Sequence, residues 1–327
     1  MKAAIHERYG APGRVVEIRE LDTPEPGPDE VLVRVRAASV NIADWYAVTG
    51  RPWVARATTG LRGPKETRIG VDYSGVVEAV GSDATGFRPG DEVFGGRTGA
   101  CAEYVVAKAD RAIVRKPANV SFESAAAVPV AATTALQAIR DQGRLEEGQR
   151  VLVHGASGGV GTYAVQIAKA LGGQVTAVCG PQAVEVARLL GADEVVIYSS
   201  EDVTRSDRRF DLAIDIAGTR SFRQLRRVLT PNATLVVVGG KRANRLLGPL
   251  AHMAGCRIGA MLASQRAAYF LAKLGKADMQ TLAELLEAGK LTSVVDDVFP
   301  YDRLPDALEH MGAGHPRGKI VVTMQDA

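Results

Sequence analysis

VLVHGASGGVG, Val151 to Gly161, running on into TYAVQIAKALG, sets a short apolar strand against a glycine turn and an amphipathic helix. Such a turn lets backbone approach an anion while free N–H groups and the positive end of the helix dipole point at it. The stretch therefore predicts a dinucleotide-phosphate cradle. The usual fingerprint is G-x-G-x-x-G; here Gly155 is followed by Ala156, so the match is A-S-G-G-V-G. The candidate phosphate-binding residues are Gly155, Ser157, Gly158, Gly159, Val160 and Gly161, with glycines 158, 159 and 161 giving room. Context strengthens the motif: Ala164, Ile167, Ala168 and Leu171 repeat at helical spacing, Gly172-Gly173 close the helix, and Val175 to Val178 read as a second strand. A plain strand-turn-helix would share the pattern without binding anything.

The chain has 327 residues, more than one core usually holds, so two domains are expected. Hydrophobic residues make up 46%, enough for ordinary cores, and 40 basic against 37 acidic residues leave a net charge of +3. That balance does not favour a nucleic-acid partner. The opening MKAAIHERYG carries no apolar signal segment, which predicts a cytoplasmic protein. The longest apolar stretch, Leu246 to Leu274, is interrupted by His252, Arg257, Arg266 and Lys273 and does not read as a membrane span. It carries more apolar surface than a monomer usually leaves exposed, which predicts a homodimer; the competing reading is a strand and helix buried within one subunit. Cys101, Cys179 and Cys256 lie far apart without a C-x-x-C pair, which argues against a disulfide framework and points to buried, inert thiols.

The first ~120 residues are strand-like and turn-rich, with Val31 to Ala37 and Val76 to Val80 as strands, and suggest a small β barrel. From Ser124 the texture turns to a helix, Ser124 to Arg140, and then to strands alternating with helices, the rhythm of a parallel sheet. Its strands are Val151 to His154, Val175 to Cys179, Glu194 to Tyr198, Leu212 to Asp215 and Thr234 to Val238. The tail, Leu291 to Met324, returns to strand-like runs around a helix at Leu304 to Met311 and is expected to rejoin the first domain.

Several segments then match a known family in its own order: SVNIADWYAVTG (Ser39 to Gly50), GLRGPK (Gly60 to Lys65), GVDYSGVVEAVG (Gly70 to Gly81), FRPGDEVFG (Phe87 to Gly95), AAAVPVAATTALQAI (Ala125 to Ile139), the cradle itself, LGADEVVIY (Leu190 to Tyr198) and HPRGKIVV (His315 to Val322). Over nearly its whole length the chain resembles the medium-chain dehydrogenase/reductase superfamily, in its zinc-free quinone oxidoreductase and enone reductase branch. The resemblance implies an α/β fold: a GroES-like β-barrel catalytic domain at 1–123, a doubly wound Rossmann cofactor domain at 124–270, and a return segment at 271–327. It also implies hydride transfer from NADPH, with NADH as an alternative, to a quinone or an α,β-unsaturated carbonyl.

Zinc-dependent relatives place an early cysteine and a G-H-E segment where this chain has Asn41 and Gly70-Val71-Asp72, and their four-cysteine lobe has no counterpart. Zinc needs about three or four N or S ligands. His6, His154, His252, His310 and His315 are scattered without joint spacing, so no metal site is expected. Without a Lewis acid, reduction of an electron-poor C=C or quinone is favoured over alcohol oxidation, because it needs a hydride donor and stabilisation of developing negative oxygen.

By resemblance, Asn41 and Asp44 line the cleft beneath the nicotinamide. An Asn amide can donate to a carbonyl oxygen, yet Asn41 can equally cap a helix beginning near Ala43 with Asp44 in its first turn. Tyr46 and Tyr73 are candidate proton donors or packing groups, and Trp45 and Trp53 candidate pocket wall or core. Thr133 and Thr134 resemble the contact to the nicotinamide carboxamide, Gly239-Gly240 the loop beside its ribose or an ordinary strand-end turn, and Arg317 and Lys319 a basic pair near the cofactor or two solvated charges. About twenty positions past the glycine turn, where NAD-specific proteins put an acid, stands Cys179-Gly180, with Tyr198 near the adenosine end. The missing acid leans towards NADPH, although the basic residues that relatives offer the 2′-phosphate are replaced by Gly180, Gln182 and Ala183. The rival reading is a catalytically weak NADPH-binding regulatory or interaction protein.

Overall fold

A computed structural model describes residues 1–240, 246–261, 263–314 and 316–324. His315, and Leu262 within the apolar stretch, lie outside the described residues. The chain divides into two compact units, Met1–Thr133 with Lys273–Ala327, and Thr134–Ala272. The first boundary falls ten residues later than the change of sequence texture at 123/124. The reason is that the helix Phe122–Ala126 packs with the first unit: Ala126 and Ala127 lie against Ala37 and Val321, and the Ser74 hydroxyl donates to the Phe122 carbonyl at 2.6 Å.

The first unit is built from β1 (Lys2–Ile5), β2 (Glu17–Glu20), β3 (Glu30–Val40), β4 (Asp72–Val80), β5 (Glu92–Gly96), β6 (Tyr104–Lys108) and β7 (Ile113–Arg115). In the second unit follow β8 (Arg150–His154), β9 (Gln174–Cys179), β10 (Glu194–Ile197), β11 (Phe210–Asp215), β12 (Leu229–Val237) and β13 (Arg266–Tyr269). Finally β14 (Val295–Pro300) and β15 (Lys319–Thr323) return to the first unit.

The first unit's main sheet runs β14-β15-β3-β4-β5-β7, with β6 also pairing β3. Its core is filled by Val31, Val33, Val35, Tyr73, Val77 and Val93 and their neighbours, the inward half of strands that alternate valine with arginine. The second unit is a six-stranded sheet in the order β10-β9-β8-β11-β12-β13, each neighbouring pair parallel. That order is the doubly wound arrangement with its switch point at β8. Its strands read as continuous apolar runs because both faces are covered.

The helical stretch expected over Ser124 to Arg140 is broken: Phe122–Ala126 and Pro129–Leu136 are separate helices, and a π turn follows over Gln137–Gly143. Pro129 lacks the N–H that would have continued the first helix and suits the start of the second. No helix among the described residues is long and apolar enough to cross a membrane.

Candidate functional site

In the second unit, β8 delivers the chain to the glycine turn, and the helix Gly159–Ala170 leaves it with Gly158 as its N-cap. Gly155 has φ +97°, a conformation open to glycine and strained for other residues. A Cβ on Gly161 would stand 2.1 Å from the Gly155 carbonyl oxygen, so the helix start is pressed against the turn by the absence of side chains. Gly158 is the opposite case. A Cβ there would meet nothing nearer than the Gly155 oxygen at 4.0 Å, so its bare surface answers no packing need of the protein. A tight turn, an open face and a helix N-terminus fit a diphosphate group.

Gly180, Tyr198 and Gly239-Gly240 follow the C-terminal ends of β9, β10 and β12. Gly180 follows β9, and a Cβ on it would lie 3.2 Å from the exposed Tyr198 hydroxyl, so these two residues are neighbours. Gly239 and Gly240 follow β12: a Cβ on Gly239 would fall 2.1 Å from the Ile216 carbonyl oxygen, and one on Gly240 2.7 Å from the Pro249 Cα. Thr133, the last residue of the first unit and fully buried, has a hydroxyl without a hydrogen-bond partner among the described residues, and Thr134, half-buried, opens the second unit in the same helix.

Sequence reading treats the histidines as scattered; the fold brings two of them onto one carboxylate. Asp215, fully buried at the end of β11, accepts from His154 Nδ1 at 2.8 Å and the Gly218 N–H at 2.9 Å on one oxygen, and from His252 Nε2 at 2.7 Å on the other. Burial pushes the Asp215 carboxyl up, but the two imidazoles outweigh it and hold the group at about 2. His252 is raised to about 10, first by Asp215 and then by Cys256, whose Sγ is 3.7 Å away, against the opposing effect of burial. The network ties the start of the glycine turn to the loop after β11, where the Ile216 and Ala217 N–H groups also donate to the His154 carbonyl.

In the first unit a second polar cluster follows from strand register. β15 pairs antiparallel with β3, Ile320 opposite Val40, so Lys319 comes level with Asn41; on the other side of β3, Asp72 of β4 stands opposite Ser39. Residues 39 and 41 share a face, and the three polar groups converge there. Lys319 Nζ donates to Asn41 Oδ1 at 2.6 Å and lies 3.2 Å from Asp72 Oδ2; Asn41 Nδ2 donates to Asp72 Oδ2 at 2.9 Å; the Val130 N–H donates to Asp72 Oδ1 at 3.0 Å. The Asn41 N–H donates to Asp44 Oδ2 at 2.7 Å.

Asn41 is therefore the N-cap of the helix Ile42–Thr49 and forms a capping box with Asp44, while its side chain also bonds Lys319 and Asp72. Its amide Nδ2 end is directed at two carboxyls, Asp72 at 2.9 Å and Asp44, which also draws on the Asn41 side chain. Asp44 is buried, and desolvation raises its carboxyl to about 7, with Asp72 adding to the rise and the Asn41 backbone N–H, the Lys319 ammonium and the Asn41 side chain acting the other way.

Arg317 and Lys319, expected as a basic pair near the cofactor, have different surroundings. The Lys319 side chain is 3% exposed and turned into the cluster, whereas Arg317 is exposed and lies 3.7 Å from Asp296. Tyr73 is fully buried in the barrel core, where burial pushes its phenol up, so packing is its role. Tyr46 is half-buried against Trp45, ring centroids 5.4 Å apart. Trp53 is 55% exposed and fills no core. All three cysteines are free and buried.

A doubly wound unit with a glycine cradle, joined to a β-barrel unit carrying a buried Asn-Asp-Lys cluster, defines a dinucleotide-dependent oxidoreductase. Residues 27–118 match the alcohol dehydrogenase GroES-like domain model and 190–322 the zinc-binding dehydrogenase model. Among curated relatives, the NAD(P)H oxidoreductase RTN4IP1, mitochondrial, of Bos taurus is 34% identical, covering 91% of this chain and 82% of its own. The chloroplast envelope quinone oxidoreductase homolog of Arabidopsis thaliana is 32% identical over 98% of both. The solved quinone oxidoreductase of Coxiella burnetii superposes with a TM-score of 0.84 over 99% of both chains at 30% identity. The chain belongs to the medium-chain dehydrogenase/reductase family, in its quinone oxidoreductase branch. The cytoplasmic expectation is corrected by these relatives, which are named as mitochondrial and chloroplast proteins.

The zinc in the name of the matched family model has no fitting donor set here. Positions 41 and 71 offer an amide and a valine, and among the described residues no group of three or more His, Cys, Asp or Glu is placed to hold a metal. A cation already stands between Asn41 and Asp72: the Lys319 ammonium.

Proposed function

We propose that this chain is an NAD(P)H-dependent reductase that delivers hydride to a quinone or to the β-carbon of an α,β-unsaturated carbonyl without zinc, with NADPH preferred. The reading is supported by the first unit's donors, the Asn41 amide oriented by Lys319 and Asp72, and Asp44 with a carboxyl at about 7. When bound, the reduced nicotinamide supplies the hydride. Asn41 donates to the acceptor's oxygen as negative charge builds there, and Asp44 holds a proton near neutral pH for the resulting enolate or quinone oxyanion. Tyr46 stands close in sequence as a further donor or as packing.

The dinucleotide would be held by Gly155, Ser157, Gly158, Gly159, Val160 and Gly161 at its diphosphate, by Gly180 and Tyr198 at the adenosine end, and by Thr134, Gly239 and Gly240 at the nicotinamide end. The NADPH preference is supported by the absence of an acid at the end of β9, where Gly180 stands. Relatives named NAD(P)H oxidoreductase and quinone oxidoreductase support the cofactor and acceptor classes.

Self-association is supported by Leu246, Leu250, Ile258 and Met261, exposed along and beside the helix Pro249–Ala260, and by β13 at the sheet edge.

The test is NADPH consumption, followed by nicotinamide absorbance, with a panel of quinones and enones. Turnover is expected, slowed about 10²-fold by Asn41→Ala and by Asp44→Asn. Coenzyme binding with no turnover on any acceptor would overturn the proposal in favour of a regulatory nucleotide-binding protein.

A further inference from the structure

We infer that Lys319 is a positioning residue whose buried ammonium takes the place of a metal ion in the first unit and fixes the Asn41 amide as a donor. The inference rests on the proposed reductase reading, in which Asn41 binds the acceptor's oxygen.

An asparagine amide has two ends of similar shape and opposite polarity, and its surroundings decide which way it faces. Here Oδ1 lies 2.6 Å from the Lys319 ammonium and Nδ2 2.9 Å from the Asp72 carboxylate. A flipped amide would set N–H groups against an ammonium and a carbonyl oxygen against a carboxylate, two repulsive contacts where there are now two charge-assisted bonds. With both partners buried, the two repulsive contacts would be only weakly screened. The Nδ2 end faces the carboxyls of Asp72 and Asp44, so the amide is fixed as a donor at that end, suited to an oxyanion and unsuited to a hydroxyl proton.

Lys319 also accounts for how an asparagine serves in a chain whose matched family model is named for zinc. A metal ion would draw the oxygen's electrons directly; the ammonium instead polarises the amide through Oδ1, and a polarised amide is a stronger donor at Nδ2. Asp72 completes the design. It balances the buried charge of Lys319 and receives one Asn41 N–H, while the Val130 N–H fills its other oxygen. None of this needs Lys319 to touch coenzyme or substrate.

Removing Lys319 alone would leave Asp72 buried without its cation, so the test uses the neutral pair Lys319→Met with Asp72→Asn, compared with Asn41→Ala and with the triple variant. Melting temperature and coenzyme affinity by nicotinamide fluorescence serve as controls, since the glycine cradle lies in the other unit. The neutral pair is expected to lower kcat about 10- to 100-fold with coenzyme affinity unchanged, and adding Asn41→Ala to it should cost less than twofold more, because the amide's orientation is already lost. Lys319→Arg, which keeps the cation, should recover part of the loss.

Losses of the neutral pair and of Asn41→Ala that multiply in the triple variant, or a neutral pair with wild-type kcat beside a slow Asn41→Ala, would overturn the positioning role. A wild-type rate in Asn41→Ala itself would instead remove the reductase reading of Asn41 beneath it.

Discussion

Gly158 and Gly161 separate folding from binding within one turn. At Gly161 a methyl group would press to 2.1 Å from the Gly155 oxygen and 2.8 Å from the Ala156 backbone, and backbone cannot swing aside as a side-chain end can. Gly161→Ala should therefore destabilise the unit itself, by about 1–3 kcal/mol as in other overpacked sites. At Gly158 the φ is −81° and the nearest atom to a new Cβ is 4.0 Å away, so Gly158→Ala should leave stability within about 0.5 kcal/mol of wild type. If the open face above Gly158 is where the diphosphate lies, the methyl group takes up that space. Coenzyme affinity should then fall by about 1–3 kcal/mol, roughly 5- to 150-fold. Urea denaturation of the coenzyme-free protein gives the first quantity and titration of nicotinamide fluorescence the second. A Gly158→Ala protein of wild-type stability that binds NADPH as tightly as wild type would refute the cradle assignment, because nothing in the protein's own packing explains a bare surface there.

Three further outcomes follow from named groups. Asp44 carries a folded-state carboxyl raised from 3.8 to about 7, so the folded protein holds a proton there that the unfolded chain releases; stability falls as pH rises through that window. Asp44→Asn should thus stabilise the protein at about pH 8 by up to roughly 4 kcal/mol, about three pH units at ~1.4 kcal/mol each, and by little at about pH 4; equal urea midpoint shifts at the two pH values would contradict it. Gly180→Asp should weaken NADPH far more than NADH, since a carboxylate there repels a 2′-phosphate and accepts from a ribose hydroxyl, and its Cβ meets only the exposed Tyr198 ring; equal losses would show that the ribose lies elsewhere. Light scattering at micromolar concentration should give twice the 34.6 kDa chain mass, falling to one chain when Ile258→Glu and Met261→Glu place charges on the exposed apolar face; a wild-type mass near 34.6 kDa would end the self-association proposal.

Where the physics is local, the sequence shows it. β8, the glycine turn and the following helix are contiguous, and both strand and helix are named by apolar periodicity and punctuated by glycine. The parallel strands stand out as unbroken apolar runs for the same reason, whereas their ends shift by a residue or more: β12 begins at Leu229 instead of Thr234, because an edge of pairing is fixed by the neighbour's length. Pro129 was legible as a breaker of the Ser124 to Arg140 helix, and the alanine-rich composition on either side masked it. Asn41 and Asp44 are visible as a helix start and form its capping box; that the Asn41 side chain also serves a buried ion cluster depends on a lysine 278 residues later.

Both buried clusters share a logic that marks how far sequence alone can reach. Asp72 opens a strand in GVDYSGVV and Asp215 closes one in FDLAID, each a carboxylate inside an otherwise apolar run and each 0% exposed. A carboxylate in such a position must find cations or N–H donors or be very costly to bury, so the strand pattern already demands partners. It does not name them, because they arrive by strand order and register: Lys319 through the antiparallel seam of β15 and β3, His154 through the parallel pairing of β8 and β11, His252 through the helix that follows β12. An aspartate at the end of an apolar strand with no local partner is thus a signal of a distant cation. In this chain it points to the two places where the fold gathers its polar chemistry, the amide held by Lys319 in one unit and the loops held by Asp215 beside the glycine turn in the other.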